Sequence, residues 1–172
     1  MTYVSNLIPD PQFAHVQTSY AGNVWHSVNS TTQLDRAQNA LTVTNNAGNS
    51  EPCVELYLSD LSAYHGVNMT FACKLSWIPG SATECGNGLI RLFVKDKFWK
   101  VSDGGTATVG RKALQFTVPD DTTGFGIRLY APAAKGSAFQ WWHPILTRTA
   151  DYQRLQSLGV DYFDGDTMPK IE

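Results

Sequence analysis

Cys53-Val-Glu-Leu-Tyr-Leu58 alternates strictly, with Val54, Leu56 and Leu58 on one side of an extended chain and Glu55 and Tyr57 on the other. Successive side chains of a strand point to opposite faces, so this period of two reads as a strand with one side on a core. The same beat recurs in both directions. Upstream it appears around Asn23-Val-Trp-His-Ser-Val28 and in Ala40-Leu-Thr-Val-Thr44, where Leu41 and Val43 share the core side. Downstream, residues 69–77 bring Phe71, Cys73, Leu75 and Trp77 together, and residues 89–94, 97–101, 113–118 and 125–130 follow. The set closes with Phe139-Gln-Trp-Trp-His-Pro-Ile-Leu-Thr-Arg148. Proline has no N–H for a ladder, so this last strand is expected to end at Pro144 or to run along an edge. Trp141 belongs with Phe139 in the core, and Trp142 then faces outward. Gly, Pro, Asn and Asp clusters separate the runs. Eight or more short strands at this spacing predict an all-β fold, a jelly-roll β-sandwich of two antiparallel sheets over residues 1–148.

One helix is expected, over residues 150–158. Thr149 stands at the N-cap, Asp151 in the first turn, Tyr152, Leu155 and Leu158 on one face, and Gly159 at the end. A helix this short is marginal alone and must dock on the sandwich or on a partner. With Tyr162-Phe-Asp-Gly-Asp-Thr167, whose Asp164-Gly165 is a turn signal, it makes a short C-terminal helix and extension over residues 149–172.

Composition narrows the function. The 172 residues fit one core; 16% are charged, 12% are aromatic, and the net charge is −2. Lys and Arg are scattered without a patch, so no nucleic-acid partner is expected. The N-terminus lacks the basic and apolar regions of a secretory leader, and no run approaches the ~20 apolar residues of a membrane helix. Cys53, Cys73 and Cys85 are an odd number, which speaks against a disulfide framework, and Cys53 and Cys73, both in expected strands, read as small buried apolar side chains.

Catalysis finds little to build on. His15, His26, His65 and His143 stand far apart without zinc-site spacing, and there is neither a nucleophile elbow nor a phosphate-cradling glycine loop. The carboxylates sit mostly in turns. A non-enzyme is expected, with no cofactor. Asp161, Asp164 and Asp166 are close enough for a metal, but solvated turn carboxylates are the commoner case.

A binding face is the better candidate. Opposite the core, three strands carry a charge and then an aromatic: Glu55 and Tyr57, Arg91 and Phe93, Arg128 and Tyr130. In one sheet these would form a band of aromatics beside a band of paired charges. Rings stack on the C–H face of a pyranose, and planar charged groups bond its hydroxyls. Tyr57, Arg91, Phe93, Trp99, Arg128, Tyr130 and the outward Trp142 are the candidate contacts, with Trp25 and Trp77 as further platforms. Two other readings stay open. The face can pack on a neighbouring chain, or it can be a plain outer surface held by cross-strand pairs.

The opening Asn6-Leu-Ile-Pro-Asp-Pro-Gln-Phe13, the middle Gly124-Phe-Gly-Ile-Arg-Leu129 and the closing Tyr162-Phe-Asp-Gly-Asp-Thr167 occur in an order and spacing that resemble the minor tail proteins of phages infecting actinobacteria and related bacteria. Those proteins carry a domain similar to a galactose-binding or carbohydrate-binding module. The resemblance implies a virion structural component of the tail, made in the host bacterial cytoplasm. It would act in tail assembly, in host glycan adhesion, or in both. Its partners would be other tail proteins, further copies of itself in a homo-oligomer, and host envelope glycans. Such modules often hold a structural calcium at a last-strand carboxylate pair. Here the aligned positions are Trp142-His143, which removes that hard ligand and speaks against the calcium. The alternative is a free carbohydrate-binding module accompanying a secreted glycoside hydrolase.

Overall fold

A computed structural model describes residues 4–48, 51–86, 88–94, 97–101, 105–122, 124–163 and 167–168, with backbone alone for 97–101, 105–106 and 167–168. Its two five-stranded sheets are antiparallel throughout. Chain order gives β1 (Val4–Ser5), β2 (His26–Val28), β3 (Thr31–Asp35), β4 (Ala40–Thr44), β5 (Cys53–Leu58), β6 (Asn68–Trp77) and β7 (Glu84–Cys85). Then come β8 (Ile90–Val94), β9 (Lys97–Val101), β10 (Gly105–Thr106), β11 (Gly110–Thr117), β12 (Phe125–Tyr130), β13 (Ala138–Arg148), helix α1 (Thr149–Ser157) and β14 (Thr167–Met168). The first sheet runs β11-β6-β13-β4-β3 and the second β2-β5-β12-β8-β9. The expected all-β sandwich is the observed fold.

Alternation explains which face each strand buries. Leu41 and Val43, Phe71, Cys73 and Leu75, and Phe139 and Trp141 come from the first sheet; Val54, Leu56, Ile90, Leu92, Ile127 and Leu129 come from the second. All these side chains are buried in one apolar cluster, and at about 25 cal/mol per Å2 of apolar surface they are the main source of folding free energy. Phe13 and Trp25 close one part of this core, ring centroids 5.1 Å apart. The three cysteines are buried and none is in a disulfide, and burial pushes the Cys53 and Cys73 thiols up to about 12. Trp77 departs from expectation. At the end of β6 it is 37% exposed rather than core.

β13 neither stops at Pro144 nor lies on an edge. It sits between β6 and β4 and continues to Arg148 through an irregularity between Trp142 and Ile145, where His143 takes φ +57°. β4 pairs only as far as Trp142, so no β4 carbonyl needs the N–H that Pro144 lacks. Asn6 takes up the backbone groups freed there. Its amide donates to Pro144 O at 3.1 Å, and its Oδ1 accepts from Leu146 N at 3.0 Å and Ile8 N at 3.2 Å.

The C-terminal segment docks on the outer face of the first sheet. Tyr152 and Leu155 of α1 join Val4, Ala72 and Ile145 in a second, smaller core, against which Val160 and Phe163 pack. Thr149 is not the N-cap. Arg148 holds that position without a side-chain bond, and Thr149 begins the helix, its hydroxyl accepting one from Thr70 at 3.0 Å. Leu158, expected on the buried face, is 48% exposed, and Gly159 at φ +69° ends the helix. The Tyr162 ring stacks on His143 at 4.1 Å, and its hydroxyl donates to Pro11 O at 3.3 Å. Beyond them β14 pairs with β1, Val4 opposite Met168 and Ser5 opposite Thr167. The Asp164-Gly165-Asp166 turn lies outside the described residues.

Candidate functional face

β5, β12 and β8 are neighbours in the second sheet, and their register decides what its outer face carries. Arg128 stands opposite Glu55 on one side and Arg91 on the other, and His26 of β2 extends the row past Glu55. Because adjacent strands run in opposite directions, the order of charge and aromatic reverses on β12. Tyr57 and Phe93 therefore flank Gly126 on one side of the charged row, while Tyr130 lies on its other side. The single aromatic band expected from the sequence is thus split in two.

The charges are paired tightly. Arg128 Nε donates to Glu55 Oε2 at 2.6 Å, and its NH1 to Glu51 Oε2 at 3.1 Å. Arg91 NH1 donates to Glu51 Oε1 at 2.7 Å, and His26 Nε2 lies 3.7 Å from Glu55 Oε1. Burial works against the Arg128 charge, but the bond to Glu55 outweighs it and raises the guanidinium's hold on its proton. Each arginine also caps a ring, Arg91 over Tyr130 at 5.1 Å and Arg128 over Phe93 at 4.7 Å. The tip of the Phe93 ring lies over Gly126, where a Cβ would come within 2.0 Å of its Cζ, so any side chain there would have to displace the ring. Tyr57 packs beside it at 6.4 Å and 47°.

Access differs across the face. His26, Glu55, Arg91 and Phe93 are buried, and Tyr130 has no exposed surface, so its ring offers no platform and burial pushes its phenol up to about 12. Trp25 is likewise buried, inside the main core. Tyr57 and Arg128 are half-buried, the Glu51 side chain is 37% exposed, and Tyr20 is 63% exposed with its ring edge-on to His26 at 5.3 Å. Of these described side chains, a ligand can reach Tyr57, Arg128, Glu51 and Tyr20. Trp99 lies on β9 of the same sheet, at a register shift, and its side chain is outside the described residues. Trp142 belongs to the other sheet, half-buried on its outer face with the Lys74 ammonium 5.8 Å above its ring.

Glu51, His26 and Tyr20 were not among the expected residues. The Cys53–Leu58 alternation, carried back two steps across Pro52, places Glu51 on the side of Glu55 and Tyr57. His26 and Tyr20 come from a three-residue strand and a loop that carry no comparable pattern. Among the described residues, no three His, Cys, Asp or Glu side chains gather for a metal ion. At the last-strand positions, Trp142 is engaged with Lys74 and His143 with Tyr162.

No family profile matches the sequence, and neither does any curated protein. Solved structures do match. The CBM22-1 xylan-binding domain of Paenibacillus barcinonensis Xyn10C aligns over 86% of this chain and 97% of its own, with a TM-score of 0.59 and 10% identity. A CBM4 module aligns over 81% and 97%, with a TM-score of 0.55 and 8% identity. The enzymatically active domain of bacteriophage CBA120 tailspike protein 4 aligns over 83% of this chain but 21% of its own, with a TM-score of 0.51 and 14% identity. What the chain shares with these proteins is the fold, the jelly-roll sandwich of carbohydrate-binding modules.

Proposed function

We propose that this chain is a non-catalytic minor tail protein of a phage, made in the host bacterial cytoplasm and built into the virion in more than one copy. There it works in tail assembly and in adhesion to host envelope glycans. One observation carries the glycan half. On a sandwich with the fold of sugar-binding modules, the half-buried Tyr57 stands one same-face position along the sheet from the charged row, where the half-buried Arg128 is fixed by ion pairs to Glu51 and Glu55 and is still reachable. A ring beside pre-oriented planar polar groups suits a pyranose, because little ordering cost remains on binding.

Support for the phage half is the joint use of the opening and closing motifs. Asn6 holds the β13 irregularity, and Tyr162 stacks on the residue inside it. The tailspike likeness agrees with it in fold. Immunogold labelling of the phage particles tests this directly: label on the tail is expected, and tails without label in particles otherwise intact would overturn it. The second reading, a free module accompanying a secreted glycoside hydrolase, is favoured by how completely the CBM22 and CBM4 domains align, 97% of each. Neighbouring genes separate the two, tail-tube and tape-measure genes on one side and a glycoside hydrolase gene on the other.

A further inference from the structure

A cleft of about 740 Å3 lies far from the face just described, on the outer side of the first sheet where β11 and β6 meet the start of α1. This volume is within the range of about 300–1,000 Å3 usual for ligand sites. Its polar wall comes from three elements: Gln115 and Thr117 of β11, Asn68 of β6, and Arg148 and Gln153 at the β13–α1 junction. All five are exposed. Val67, Thr149 and Ala150 complete the lining with Phe116, whose ring is turned into the main core.

The bonding state of these groups is the informative part. Thr117 donates its hydroxyl to Asn68 Oδ1 at 2.6 Å, which fixes the Asn68 amide and leaves its NH2 to offer. Among the described residues, the side chains of Gln115, Gln153 and Arg148 make no hydrogen bond or ion pair. Three amides thus converge on one cleft with one guanidinium and no carboxylate. An amide carries a donor and an acceptor side by side, as a pair of vicinal hydroxyls does. Its carbonyl repels an anion, and three carbonyls beside one cation make a poor site for a carboxylate or phosphate.

We infer that this cleft is a second carbohydrate subsite, taking a short run of a neutral oligosaccharide held by hydrogen bonds to Asn68, Gln115, Gln153 and Arg148 without ring stacking. It stands on its own groups and does not depend on the second sheet binding sugar. A two-site chain also gains avidity for a repeating polymer, since the second engagement becomes intramolecular.

The test is an NMR titration of the whole chain with neutral hexaoses of xylose, glucose and mannose. At least one is expected to shift the backbone amides of Asn68, Gln115 and Gln153. The double variant Gln115→Ala, Gln153→Ala, both exposed and free of structural bonds, is expected to weaken that ligand at least tenfold, and Tyr57→Ala to leave these shifts unchanged. If no hexaose moves the three amides, or if the double variant binds as tightly as the parent, the inference is overturned. Shifts confined to residues around Tyr57 would overturn this subsite while sparing the first face.

Discussion

Replacing Asn6 by Ala removes one side chain and strands three buried backbone groups. Asn6 is 3% exposed, and its amide serves Pro144 O, Leu146 N and Ile8 N at 3.0–3.2 Å. A buried donor or acceptor left without a partner costs about 1–3 kcal/mol. Three such groups sum to more than that, but Ile8 N and Leu146 N share one acceptor, and the shortened side chain leaves room for a water. A net loss of about 3 kcal/mol is therefore expected. For a chain of this length that corresponds to a fall in Tm of about 6–12 °C. Urea unfolding followed by tryptophan fluorescence is the assay, and the midpoint should drop with little change in slope. Asn6→Asp separates the components. It keeps the acceptor for the two N–H groups but sets oxygen against Pro144 O, so it should be no more stable than Asn6→Ala unless its carboxyl is protonated and donates there. A loss below about 0.5 kcal/mol in Asn6→Ala would refute the reasoning, because the β13 irregularity would then hold without its anchor.

Other outcomes follow from the same geometry. Gly124→Ala sets a Cβ 2.0 Å from the Leu58 carbonyl oxygen, and Gly126→Ala sets one 2.0 Å from the Phe93 ring. A ring can turn away and a strand carbonyl cannot, so Gly126→Ala should cost about 1–3 kcal/mol and Gly124→Ala more; the reverse order in denaturant melts would contradict this. Glu51→Ala leaves the Arg91 charge without a carboxylate 2.7 Å away and should cost about 3 kcal/mol, whereas Arg91→Met removes the charge itself and should cost clearly less in the same melts. Cys53 and Cys73, their thiols pushed from about 9 up to about 12, should resist Ellman's reagent at pH 8 and react once the chain is unfolded. Their linkage has a definite sign. Below about pH 9 both states keep the protons and nothing changes; between about 9 and 12 the unfolded chain loses protons that the native one keeps, so stability falls as pH rises. A flat profile across that window would speak against it.

Much of the fold was legible because one face of each strand is buried. Leu41 and Val43, or Val54 and Leu56, declare their side by alternation alone. β3 escaped because Thr31–Asp35 is a polar edge strand with Leu34 as its one large apolar residue, which is how sheet edges avoid pairing with other chains. The continuation of β13 past Pro144 escaped because it depends on Asn6, 138 residues away. On the candidate face, the sequence carried the alternation of charge and aromatic but not the direction of the neighbouring strand. That direction put Tyr130 across the charged row from Tyr57 and Phe93. Burial of Arg91 and Glu55 was illegible for a related reason. It rests on Glu51 and His26, which reach the row from outside the three strands that displayed the pattern.

The most direct test of sugar recognition on the second sheet is isothermal titration of the chain against host cell-wall polysaccharide, with Tyr57→Ala and Trp142→Ala compared to the parent. Loss of one stacking ring should weaken binding about fivefold to tenfold in Tyr57→Ala, while Trp142→Ala, on the opposite sheet, should bind as the parent does. Equal affinity for the parent and Tyr57→Ala would contradict recognition at that face.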